Sequence, residues 1–100
     1  MNYQRVIVAG NATEDAQQRK AKKSNVAFVT FSIAVQTTKD QTTFFPVMVF
    51  GKYGDTVARY ITRGRQVLVE GRIETRENGR FNLIADQVRF GPEPGKKDSE

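Results

Sequence analysis

The sequence predicts an all-β domain carrying one helix, on three observations. Short runs rich in Val, Ile, Phe and Thr alternate with a period of two, the period of a half-buried strand. Turn-forming residues separate these runs at Gly10-Asn11, between Thr37 and Thr42, and at Asn78-Gly79. A single stretch, Gly54 to Gly64, places its apolar residues at helical spacing instead. A chain of 100 residues has the length of one domain with one core.

Tyr3 to Gly10 is rich in Val and Ile and reads as the first strand, ended by Gly10-Asn11. Ala12 to Asn25 is polar and reads as a long mobile hairpin loop, with a helical turn around Glu14 to Arg19 as an alternative. Val26 to Gln36 is the second strand. Val29, Phe31, Ile33 and Val35 share one face, and Phe28, Thr30, Ser32 and Ala34 share the other. After a polar turn, Thr43 to Phe50 is the third strand, and it is apolar on both sides. Phe45, Val47 and Val49 fall on one side; Phe44, Met48 and Phe50 fall on the other, with Pro46 between as a candidate bulge. One core accounts for one side only, so the other must meet something else.

Asp55 is the expected cap of the helix, Val57, Tyr60 and Ile61 its apolar stripe, and Gly64 its C-cap. Gln66 to Glu77 is the fourth strand, with Val67, Val69, Ile73 and Thr75 on one face and an irregularity at Gly71. Asn78-Gly79 predicts a two-residue hairpin turn with positive φ at both positions. Arg80 to Phe90 is the fifth strand. Residues 1–90 are thus the expected domain and 91–100 a flexible tail, marked by Pro92, Pro94 and a charged end.

A helix between the third and fourth of five antiparallel strands suits the OB-fold, a five-stranded Greek-key barrel that binds nucleic acid on a face including its second and third strands. An SH3-like barrel is the structural rival. Lys and Arg number 16 against 11 acidic residues, a net charge of +5, which favours an acidic partner. The chain has no Cys and no His, so it lacks thiolate metal ligands, disulfides and the commonest general base. No cofactor or metal is expected. Glu70, Glu74, Glu77 and Asp86 are explained by cross-strand ion pairs with neighbouring Arg residues, and no Gly-rich phosphate loop occurs, so the reading is of a non-enzyme. No run is apolar enough to span a bilayer, and no signal peptide precedes the first strand. No membrane partner is expected, and a cytoplasmic chain is the default.

Several segments resemble the bacterial and organellar single-stranded DNA-binding proteins. They are Val6-Ile7-Val8-Ala9-Gly10-Asn11 followed by Glu14-Asp15 and Arg19, then Phe44 and Val47 to Lys52, then Ala58 with Tyr60, and above all Arg63 to Arg76. The resemblance implies a protein that coats single-stranded DNA in replication, recombination and repair, in the nucleoid of a bacterium or in an organelle. It implies stacking of bases on Phe44 and Phe50, at positions where the family carries aromatic residues, and phosphate contacts from Lys52 and Arg76. Arg72 joins them beside the aromatic strand, and Lys20, Lys22 and Lys23 form a candidate clamp. It also implies a homo-oligomer, dimer or tetramer, with the first strand as the candidate interface.

The departures are the absence of Trp, Ala16 in place of the usual Pro, and a fourth-to-fifth strand connection cut to Asn78-Gly79. The family's acidic C-terminal peptide has no counterpart among the last residues, so replication and repair proteins are expected partners only if a longer natural tail exists. The alternative function is an OB-fold replication-restart or protein-interaction module that uses the same strand face.

Overall fold

The computed structural model describes residues 3–91, apart from the side chains of Lys52 and Tyr53. The elements are β1 (Val6–Ala12), β2 (Gln17–Lys20), β3 (Ala27–Thr38), β4 (Gln41–Phe50), α1 (Lys52–Tyr60), β5 (Gln66–Thr75) and β6 (Phe81–Phe90). The strands form one sheet in the order β1-β5-β6-β4-β3-β2, and a further pairing of β1 with β3 closes it into a barrel. All pairings are antiparallel except β4 with β6, which run parallel through Val47–Leu83 and Met48–Ile84. Without the short β2, the barrel has five strands with α1 between the third and fourth. This is the OB-fold.

The inward residues follow the period of two. Val29, Phe31 and Ile33 of β3, Val47 and Val49 of β4, and Val67 and Val69 of β5 are buried, and Leu83 and Val88 of β6 join them. Val57 and Ile61 of the helical segment close one end of this core. Burial of apolar side chains is worth about 1.5–3 kcal/mol each, so this cluster holds the barrel together.

The first strand begins later than expected, at Val6. The segment before it is tied by a side chain instead: Gln4 accepts from the Ile73 N–H at 2.8 Å and donates to the Ile73 carbonyl at 3.2 Å. The segment read as a mobile loop contains a short strand. Residues 17–20 are a strand rather than a helical turn, paired with β3 from Gln17–Thr30 to Lys20–Ala27. The following turn is closed by the Ala21 N–H on the Val26 carbonyl, 2.9 Å, with Asn25 at φ +59°.

Pro46 is not a bulge. The β3–β4 register runs unbroken from Phe28–Phe50 to Gln36–Thr42 and slips only between Gln36 and Thr38. The helix starts at Lys52, with Gly51 at its N-cap and no side-chain cap. Asp55 therefore lies inside the first turn, where its charge complements the helix dipole. Gly64 is not the helix C-cap, because the helix ends at Tyr60 and Ile61 is already extended. Gly64 takes φ +88° in the next turn and donates its N–H to the Ala12 carbonyl at 2.8 Å.

The irregularity at Gly71 is present. Glu70 pairs with Gln87 and Gly71 with Ala85, leaving Asp86 as the extra residue on β6. A Cβ on Gly71 would lie 1.9 Å from the Ile84 carbonyl oxygen, so only glycine permits this approach. Asn78 and Gly79 both take positive φ, 70° and 75°. The hairpin loop nevertheless has three residues, since Glu77 joins them in a single 3-10 turn and the Arg76 N–H bonds the Arg80 carbonyl. The reading of a flexible tail at 91–100 falls on residues outside those described, except Gly91. That residue donates its N–H to the Gln66 carbonyl at 2.8 Å.

Candidate nucleic-acid interface

The outward face of β2, β3 and β4 is built from cross-strand rows. Strand alternation puts Arg19, Phe28 and Phe50 in one row, and Gln17, Thr30 and Met48 in the next. Ser32 with Pro46, and then Ala34 with Phe44, complete the face. Phe44 is 59% exposed and Phe50 43% exposed, while Val47 and Val49 between them are each 1% exposed. This face leaves two large rings open to solvent.

Phe44 and Phe50 are six residues apart on one strand, which sets them about 20 Å apart at the strand rise. The Phe50 ring rests against Phe28, with centroids 5.5 Å apart and planes inclined by 39°. Phe28 is half-buried and supports Phe50 from the neighbouring strand. Phe45, on the other side of the strand, meets Phe81 edge-on at 6.0 Å and packs against the core.

Three recesses run along this face and share lining residues. The largest, about 500 Å³, has Thr30, Ser32, Pro46 and Met48 on its floor and Glu14, Arg19, Arg76 and Asn82 at its sides. The second continues past Arg19 and Phe28 to Lys20, Gly51 and Asp55. The third continues past Pro46, Arg76 and Asn82 to Arg80 and Phe81. Together they form a trough with Arg19 and Lys20 toward one end and Arg76 and Arg80 toward the other. Arg19 is held in place, since its Nε donates to Thr30 Oγ1 at 3.1 Å and a second nitrogen bonds the Gln17 side chain.

The sequence-predicted residues divide between the trough and its surroundings. Phe44 and Phe50 stand on the outward face, and Arg76 and Lys20 line the trough. Lys22 and Lys23 are exposed on the turn between β2 and β3. The Lys52 backbone begins α1 next to Gly51, and its side chain is outside the described ones. Arg72 does not line the trough; its guanidinium lies 3.6 Å from Glu74 and 3.6 Å from Asp86. Sequence reasoning did not single out Arg19 or Arg80 as trough residues, and it placed Phe28 on the outward side without a role. The signal for Phe28 was its parity with Thr30 and Ser32. For Arg19 it was the Glu14-Asp15 and Arg19 motif. Among the described residues, no group of His, Cys, Asp or Glu could hold a metal ion.

Comparison with known proteins agrees with this geometry. Residues 3–90 match the model of the single-strand binding protein family. The single-stranded DNA-binding protein of Clostridium perfringens is 42% identical over 73 residues, covering 71% of this chain and 49% of that protein. The single-stranded DNA-binding protein of Clostridium tetani is 32% identical over 99 residues, covering 86% of this chain and 68% of that protein. The chain thus spans about half to two thirds of the length of these relatives. A crystal structure of the mitochondrial single-stranded DNA-binding protein of S. cerevisiae superposes with a TM-score of 0.81 at 20% identity, covering 90% of this chain and 95% of the other, which establishes the shared fold. The chain belongs to the single-strand binding protein family.

Proposed function

We propose that this chain binds single-stranded DNA on the outward face of β2, β3 and β4, and coats exposed strands in replication, recombination and repair. The observation that carries the reading is the pair of exposed rings, Phe44 and Phe50, on the strand that floors a trough edged with Arg19, Lys20, Arg76 and Arg80. Every base has a π-face, so rings stack on bases without reading sequence, while cations neutralise phosphates. A duplex hides its bases and cannot use the rings. The role is binding rather than catalysis. Its place follows the DNA it covers, in a bacterial nucleoid or an organelle. No described helix is long and apolar enough to cross a membrane.

The roles of single residues belong to the same proposal. Phe44 and Phe50 stack bases, Phe28 backs Phe50, and Arg76 and Lys20 hold phosphates, with Lys22, Lys23 and Lys52 extending the path. Arg72, engaged with Glu74 and Asp86, contributes less. Titration of a labelled single-stranded oligonucleotide tests this. The Phe44→Ala/Phe50→Ala double variant should lose at least tenfold in affinity while keeping its fold, given about 1–3 kcal/mol per stacked base. Unchanged affinity would remove stacking on this strand from the account.

We further propose a homo-oligomer that joins several such faces into one path. The supporting surface is the outside of β1 and the segment before it, where Tyr3 is 83% exposed and Ile7 55% exposed. Arg5 pairs there with Glu70, which holds its guanidinium above the ordinary pKa and thus firmly cationic. Sedimentation should show a dimer or tetramer, and Ile7→Arg should shift it toward monomer.

A further inference from the structure

We infer that Thr30 and Gln17 are positioning residues for single-strand binding: they fix the Arg19 guanidinium over the trough floor as a ready-made grip for one phosphate of the strand, between the bases stacked on Phe50 and Phe44. The inference rests on the single-strand reading above and adds how one cation is made ready. Arg19 pairs across the sheet with Phe28, and Phe28 with Phe50, so the three share one row. The Arg19 side chain leaves that row. Its Nε donates to Thr30 Oγ1 at 3.1 Å, one row closer to Phe44, and its Nη2 donates to the side-chain oxygen of Gln17, the residue paired with Thr30. Thr30 belongs to the floor of the main recess, so the guanidinium is drawn over that floor. The sugar-phosphate chain that links a base on Phe50 to a base on Phe44 runs there.

Both holding groups are neutral. Arg5 and Arg72, in contrast, face carboxylates, Glu70 for the one and Glu74 with Asp86 for the other. The bonds to Thr30 and Gln17 therefore orient Arg19 without cancelling its charge. A guanidinium carries five N–H donors in a planar fork. The two bonds take the edge formed by Nε and Nη2. The outer end of the fork, Nη1 with the second Nη2 hydrogen, is left for a two-bonded grip on phosphate oxygens. A long side chain that is free in the unbound protein loses rotamer freedom when it binds, and one already held loses less, so orientation is converted into affinity.

The test measures the affinity of the full chain for a labelled oligo-dT over a series of salt concentrations, with the Tm of each variant. Thr30→Val keeps the β-branched shape and removes the hydroxyl. Gln17→Ala removes the second bond on a strand whose residues are all exposed. Each should weaken binding about two- to tenfold, the cost of immobilising one long side chain, with Tm nearly unchanged. If Thr30→Val lowers Tm, Gln17→Ala decides alone. In an Arg19→Ala background neither should weaken binding further, because the group they position is gone. Thr30→Ser keeps the hydroxyl and should bind as the unmutated protein does. Arg19→Lys keeps the charge but not the fork, so it should keep the salt slope and lose affinity. Arg19→Ala should reduce the slope by about 0.7, one single-strand phosphate contact. Thr30→Val and Gln17→Ala binding like the unmutated protein, or weakening Arg19→Ala as much as they weaken the unmutated protein, would overturn the proposal and leave the single-strand reading intact. No binding of oligo-dT by the unmutated protein would overturn both.

Discussion

Phe44 and Phe45 are chain neighbours on opposite sides of β4, and they give the sharpest test at the level of single residues. Phe45 packs on the core and on Phe81, so Phe45→Ala should destabilise the fold by about 3 kcal/mol, with any loss of affinity following only from unfolding. Phe44 is 59% exposed, so Phe44→Ala should leave Tm nearly unchanged and weaken single-strand binding by about 1–3 kcal/mol. Thermal melts and titrations of the two variants check this side by side, and an exchange of the two phenotypes would mean the register is misassigned. Phe28→Ala should mimic a milder Phe50→Ala, because the Phe50 ring then loses its support at 5.5 Å. The division between Phe44 and Phe45 was legible in the sequence because strand alternation is strict and no bulge interrupts β4.

Among the elements, the turns and the bulge control how the trough is assembled. Gly71→Ala would drive a Cβ to within 1.9 Å of the Ile84 carbonyl oxygen, which a backbone atom cannot evade by rotation. It should cost at least ~1–3 kcal/mol, the range for overpacking, read as a drop in Tm. Gly79→Ala meets open space, so its cost is that of a left-handed φ alone, about 1 kcal/mol. Gly71 could be singled out from sequence because a lone glycine breaks an otherwise regular strand. β2 could not: Gln17-Gln18-Arg19-Lys20 has no apolar alternation, and its strand state comes from pairing with β3, a contact absent from the local sequence. Missing β2 is why Arg19 was missed, since only pairing across from Phe28 puts it on the outward face. The ion pairing of Glu74 and Asp86 with a neighbouring Arg was expected from the sequence, but not that Arg72 is the partner. The extra residue Asp86 shifts the β5–β6 register, and with it the charges that face Arg72.

At the scale of the whole molecule, the barrel separates its functions by face. The inside is apolar, the face over β2, β3 and β4 presents rings and cations, and the outside of β1 and β5 carries Ile7 and the Arg5–Glu70 pair. The fold class was legible because the order of strands and the single helix restrict the topology to a few barrels. The parallel pairing of β4 with β6 was not, because it joins segments that share no local signal. The central claim is that this face takes unpaired bases by stacking while its cations hold phosphates. One titration tests it most directly: affinity for a single-stranded oligonucleotide and for its duplex, over a series of salt concentrations. The account predicts tighter binding of the single strand, with log affinity falling linearly against log salt by about 0.7 per phosphate contact. Equal affinity for the duplex, or a flat salt response that would point to a protein-binding face, would contradict it.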